Sequence, residues 1–112
     1  MSADPSSVIV SLGVAPTYSA REAAVLLGRS YSWFDQRVRA GQFVLADGTT
    51  VQPLRTAGGY RRFTLQMLRD IIVASARHGW FSVEDIRFGL AAVISASYRE
   101  TGEFHVPTVG AR

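Results

Sequence analysis

The segment Arg55-Thr56-Ala57-Gly58-Gly59-Tyr60-Arg61-Arg62-Phe63-Thr64 sets a double-glycine turn against two adjacent arginines and two aromatic residues. Glycine lets a backbone bend through positive φ and approach another molecule closely. Guanidinium groups are planar, permanently charged forks that match phosphate oxygens. A tight turn carrying these groups has the chemistry to grip a nucleic-acid backbone. The charge around it agrees. Residues 19–63 hold seven arginines against three acids, whereas residues 64–112 hold five of each. The excess positive charge is confined to the first half, where an anionic partner would be met.

Other chemistries find little support. The absence of cysteine excludes disulfides, thiolate metal sites, iron–sulfur clusters and cysteine nucleophiles together. His78 and His105 lack metal-ligand spacing, and no set of nucleophile, base and oxyanion donor assembles. We therefore expect no enzyme, no metal and no cofactor. The first residues, Met1-Ser2-Ala3-Asp4, lack the basic start of a signal peptide, and Val8–Val14 is too short and broken to span a membrane. A cytoplasmic, nucleoid-associated protein is expected, with no membrane contact. With 112 residues, 47% of them apolar, the chain has enough for one core.

The elements that would position the arginine-bearing turn follow from caps and periodicity. Residues 1–17 form a tail with at most one short strand around Val8–Val10. Ser19 with Glu22 three residues on is a capping box, opening a helix that Gly28 ends. Ser30 caps a second helix running to about Ala40, with Gly41 as its stop. Two short helices across a glycine-containing turn have the helix-turn-helix pattern. Phe43-Val44-Leu45, Asp47-Gly48 and Thr49-Thr50-Val51 predict a hairpin, and a second turn at Ala57–Gly59 leads into a strand at Tyr60–Phe63. Thr64 caps a third helix to about His78, and Ser82 starts a fourth ending near Arg99–Thr101. Ile86, Leu90, Val93 and Ile94 are its expected buried face, with Trp80 and Phe81 packed between helices three and four. Small residues from Gly89 to Ala96 permit close packing, internally or across a dimer. The fold class is mainly α with a small β-hairpin wing: a winged helix-turn-helix domain of four helices over residues 18–101, followed by a tail at 102–112.

In that order the residues resemble a known family. Tyr18-Ser19, Glu22-Ala23-Ala24, Leu27-Gly28-Arg29-Ser30, Gly41, Pro53-Leu54-Arg55-Thr56 and Gly59-Tyr60-Arg61-Arg62-Phe63-Thr64 resemble the DNA-binding domain of the MerR family. His78-Gly79-Trp80-Phe81-Ser82-Val83-Glu84-Asp85-Ile86-Arg87 is similar to that family's Gly-aromatic-Ser-Leu-Glu-Glu-Ile-Arg segment. The resemblance covers about residues 18–94 and extends to small MerR-like regulators and phage excisionases. It implies a double-stranded DNA partner, a prokaryotic or phage setting, and a homodimer or a cooperative side-by-side oligomer on DNA. The family's long dimerisation helix and effector domain have no counterpart after the fourth helix, so no small-molecule effector is expected.

Placed second in a helix-turn-helix, the second helix would enter the major groove. Ser32, Asp35, Gln36 and Arg39 fall at i, i+3, i+4 and i+7, a polar stripe, while Phe34 and Val38 face the core with Tyr31. Gln36 suits an adenine edge and Arg39 guanine N7 and O6. Asp35 stands where the family commonly carries a cation, and either accepts from cytosine N4 or orients Arg39. Trp33 either joins the core or packs on sugar or a thymine methyl, and Arg21 and Arg37 flank the stripe and suit phosphates. In the wing, alternation puts Tyr60 and Arg62 on one side and Arg61 and Phe63 on the other. An inward Phe63 leaves Arg62 the freer cation, whereas the resemblance singles out Arg61. Arg55 can join either, and Thr56 and Tyr60 add neutral hydrogen bonds to phosphate.

Three readings stay open: a sequence-specific transcriptional regulator, an excisionase-like factor that bends DNA, and a protein-interaction module that no longer binds DNA.

Overall fold

Capping groups set where each helix begins. The computed structural model describes residues 16–101, and among them the chain forms four helices and one small antiparallel sheet. Strand β1 (Tyr18–Ser19) runs directly into helix α1 (Ala20–Leu26). The Ser19 hydroxyl accepts from the Glu22 amide at 3.1 Å while the Glu22 carboxylate accepts from the Ser19 amide at 2.8 Å. This reciprocal pair satisfies two amides that the helix itself cannot. Ser30 caps helix α2 (Tyr31–Arg39) by accepting from Trp33. Strands β2 (Leu54–Arg55) and β3 (Arg61–Phe63) form a hairpin, after which Thr64 caps helix α3 (Leu65–Arg77). Helix α4 (Val83–Thr101) starts behind Ser82, whose hydroxyl accepts from the Asp85 amide.

The sheet has the order β1-β3-β2, with Tyr18 opposite Phe63, Ser19 opposite Arg62, and Leu54 and Arg55 opposite Arg62 and Arg61. Its central strand delivers Phe63 to the core, where Phe34 of α2 meets it edge-on with ring centroids 5.0 Å apart. Leu68, Ile71 and Ile72 of α3, Ala23 and Ala24 of α1 with its C-cap Leu27, and Phe43 of the intervening loop close the same core, each 2% exposed or less. Helix α4 packs mainly on α3. Tyr18 donates to Glu100 at 2.8 Å, tying β1 to the far end of α4; burial, and then this hydrogen bond, push its phenol up to about 12.

Three expectations are corrected. Asp47-Gly48 does not join two strands: only a single bridge forms, between Val44 and Thr50. Phe43 is drawn into the core, and the Asp47 carboxylate takes the Thr49 amide and hydroxyl at 2.9 and 2.7 Å, so the segment closes as a local turn. The expected turn at Ala57–Gly59 does lead into a strand, whose hairpin partner is Leu54–Arg55, and Tyr18–Ser19, where Ser19 was expected only as a helix cap, supplies the sheet's third strand. On α4, Leu90 and Ile94 are 37% and 55% exposed; the buried positions are Gly89, Val93 and Ala96. The close approach of α3 explains this choice, because a Cβ on Gly89 would sit 3.0 Å from Ile72 Cδ1. The expected strand around Val8–Val10 and the C-terminal tail from Gly102 lie outside the described residues.

Two consequences can be measured. Gly28 ends α1 at φ +70°, and a Cβ there would fall 2.9 Å from Phe88 Cε2. Gly28→Ala is expected to lower stability by about 1–2 kcal/mol, the usual cost of a side chain in the left-handed region, seen as a lower urea midpoint at constant slope. Asp85 accepts from the Ser82 amide at 2.8 Å and pairs with Arg29 at 2.7 Å; these contacts, the Ser82 amide foremost, hold its carboxyl below the usual aspartate range. Its folded pKa lies below the unfolded value of about 3.9, so its contribution is complete above about pH 4 and is lost as pH falls further. Melting temperature against pH should therefore fall less steeply on the acid side in Asp85→Asn than in the wild type, and parallel curves would exclude the role.

Candidate functional site

The turn of the β2–β3 hairpin is built by its own polar groups. The Thr56 amide donates to the Tyr60 carbonyl at 2.9 Å, and the Gly59 amide to the Thr56 carbonyl at 2.9 Å. The Thr56 hydroxyl accepts from the Tyr60 amide at 3.1 Å, and Arg55 reaches the Gly59 carbonyl at 3.1 Å. Gly59 supplies the φ of +85° that this path needs. The result is a projecting tip with Arg55 and Tyr60 on its surface, Tyr60 being 75% exposed.

Arg61 and Arg62 leave β3 on opposite faces. Arg61 turns inward, as Phe63 does, and its guanidinium Nη2 donates to Asp35 Oδ1 of α2. Its side chain is 11% exposed, and Nη1 is buried with no hydrogen-bond partner among the described residues. Arg62 turns back onto the segment before β1, donating through Nε to the Thr17 hydroxyl at 3.0 Å and through Nη2 to the Thr17 carbonyl at 2.8 Å. The choice between a freer Arg62 and a family-favoured Arg61 thus meets a structure in which both are tethered.

On α2, the burial of Phe34 fixes the outward face. Ser32, Gln36 and Arg39 are exposed there. Asp35 accepts from Arg39 Nε at 2.8 Å, the i,i+4 pair expected, as well as from Arg61. Arg39, and then Arg61, hold the Asp35 carboxyl below the ordinary aspartate range, so it stays ionised near neutral pH.

Between the start of α1, the outer flank of α2 and the hairpin lies an open groove of about 660 Å³. Arg21, Arg39, Arg55, Arg61 and Arg62 line it, and no carboxylate does among the described residues. Tyr60 and Tyr31 stand in its wall, with the Arg21 guanidinium 4.2 Å from the Tyr31 ring centre. Tyr31 packs against the core as expected and, half-buried, also faces the groove; its position under Arg21 depends on the crossing of α1 and α2, which periodicity within either helix does not encode. Thr50 and Gln52 also reach the groove, carried there by the loop that failed to become a full hairpin. Ser32, Gln36 and Thr56 lie outside the lining.

Trp33 and Arg37 go elsewhere. Trp33 packs with Phe43, Trp80 and Phe81 at centroid distances of 5.9, 6.2 and 5.8 Å. Arg37 lies over the Trp33 and Trp80 rings at 4.7 and 4.6 Å, and Arg29 over Phe81 at 4.6 Å. Cation–π distances of this kind hold a guanidinium in place while covering apolar surface. Among the described residues, no group of three or more histidine, aspartate or glutamate side chains is placed to hold a metal ion, and no helix is long and apolar enough to cross a membrane.

Residues 8–96 match the model of a family described as a domain of unknown function, DUF7229. No curated protein and no solved structure matches the chain.

The aromatic cluster gives Trp33 a folding role. Truncation in Trp33→Ala should cost about 3 kcal/mol, whereas Trp33→Phe should retain most of the stability. Chemical denaturation of both variants tests this, and a loss below about 1 kcal/mol in Trp33→Ala would remove Trp33 from the core.

Proposed function

We propose that this chain, which belongs to the DUF7229 family, is a sequence-specific double-stranded DNA-binding protein and acts as a transcriptional regulator. In this reading the four helices and the hairpin are a winged helix-turn-helix domain similar to that of the MerR family. The observation that carries it is the groove between α2 and the hairpin, lined by Arg21, Arg39, Arg55, Arg61 and Arg62 with no carboxylate on its walls. A duplex presents two rows of phosphates flanking a readable groove, and a helix beside a cationic hairpin meets both features at once.

The division of labour follows from exposure. Helix α2 enters the major groove with Ser32, Gln36 and Arg39 outward. Gln36 pairs with an adenine edge and Arg39 with guanine, each worth about 1–3 kcal/mol of discrimination. The hairpin lies on the adjacent backbone, where Arg55 supplies charge and Tyr60 a hydroxyl. Arg21, carried on the Tyr31 ring, meets phosphate from the start of α1.

A selection from a random duplex library, followed by salt titration of the selected duplex, tests the reading. A short motif in two half-sites about 34–36 Å apart is expected for a regulator. Tandem direct repeats coated cooperatively would favour the bending factor instead. The logarithm of affinity should fall with the logarithm of salt by about 0.9 per neutralised phosphate, and Arg55→Ala should flatten that slope by about 1. Affinity that barely responds to salt would replace DNA binding with the protein-interaction reading.

A further inference from the structure

We infer that Asp35 is a positioning residue for sequence discrimination: it aims Arg39 at the bases and withholds Arg61 from the phosphates. This rests on the DNA-binding reading and deepens it. Each carboxylate oxygen has its own arginine, Oδ2 taking Arg39 Nε at 2.8 Å and Oδ1 taking Arg61 Nη2.

The two partners are held in different ways. The Arg39 side chain is 70% exposed, and Asp35 engages only its Nε, at the root of the fork. The terminal amino groups of this exposed side chain keep their donors while the Nε bond restrains the guanidinium, which favours a bidentate contact with a base edge. The Arg61 side chain is 11% exposed and its Nη1 is buried without a partner among the described residues. A guanidinium left half-satisfied in that position is retained by the charge on Asp35, which itself is 17% exposed. Without that charge, Arg61 gains by moving out to solvent or to phosphate, since an unpaired buried cation is strongly disfavoured.

The consequence is a trade between tightness and discrimination. Undirected attraction to DNA scales with the cations free to neutralise phosphates and is the same for every sequence. By taking Arg61 out of that sum and orienting Arg39, Asp35 lowers affinity for arbitrary duplex and raises the share that depends on the bases. An acid on the reading helix of a cationic groove is thus explained by selectivity, where stability alone would favour an uncharged contact.

The test compares wild type, Asp35→Asn and Asp35→Ser on two probes, a random-sequence 20-bp duplex and the best duplex from a random-library selection. One added phosphate contact at 0.1 M salt should make both variants bind the random duplex about eightfold more tightly, with a salt slope steeper by about 0.9. Their preference for the selected duplex should drop about tenfold or more, as expected when one bidentate contact loses its aim. Adding Arg61→Met to Asp35→Asn should abolish the gain on random duplex while leaving the preference low. A role confined to folding cannot raise an affinity, so loss on both probes, or an unchanged preference, overturns the assignment of Asp35 while the wild type still discriminates. Altered preference at one base pair with no gain on random duplex also overturns it, in favour of direct contact with cytosine. Wild-type protein that binds neither duplex overturns the DNA-binding reading and this inference with it.

Discussion

The structure turns on the burial of Phe34. Its ring is closed off between Phe63 of the hairpin and Phe43 of the loop that precedes it, with centroids 5.0 and 6.0 Å away. Successive side chains on a helix are rotated by about 100°, so fixing one residue fixes its neighbours. Trp33 is swung to one flank, into Trp80 and Phe81; Asp35 is swung to the other, onto Arg61. Gln36 and Arg39 are left outward, and β3 is held where its inward arginine finds a carboxylate. One apolar contact therefore determines both which face of α2 is available and how the hairpin stands beside it.

Features that rest on local chemistry were legible in the sequence. Ser19 with Glu22, and Ser30, Thr64 and Ser82, each mark a helix start within a residue, because a cap acts on amides only two or three positions away. The Asp35–Arg39 pair was readable for the same reason, being four residues apart on one helix. Features that rest on distant partners were not. The strand at Tyr18–Ser19 exists only because Arg62 and Phe63 lie opposite it. Asp47-Gly48 is a sound turn signal, yet the burial of Phe43 leaves one bridge where two strands were expected. On α4 the apolar residues outnumber the buried places, and the contact of Gly89 with Ile72 decides which of them turn in. The Arg61–Asp35 pair spans 26 positions and two elements, and no periodicity within either announces it.

The arginines show how one side chain serves two purposes in a chain without lysine. Arg29 and Arg37 lie on aromatic rings and cover the core at the Trp33 side, where a planar, weakly hydrated cation packs better than an ammonium would. Of those lining the groove, Arg21 also lies on a ring, that of Tyr31, while Arg39, Arg55, Arg61 and Arg62 are held by oxygens. Gathering like charges this way costs self-repulsion, and the fold offsets it with backbone oxygens. Arg55 donates to the Gly59 carbonyl and Arg62 to that of Thr17, each a partial negative charge placed against a cation. These bonds also settle the conformational cost. A free arginine loses about 2 kcal/mol of rotamer freedom when it is immobilised on a ligand, and one already tethered by the fold has lost part of it during folding. The tethers differ in strength along the groove, from the charged Asp35 at Arg61 to the neutral carbonyl at Arg55. That gradient orders the cations by how firmly the fold holds each one, with the exposed hairpin tip held least and the strand beneath it most.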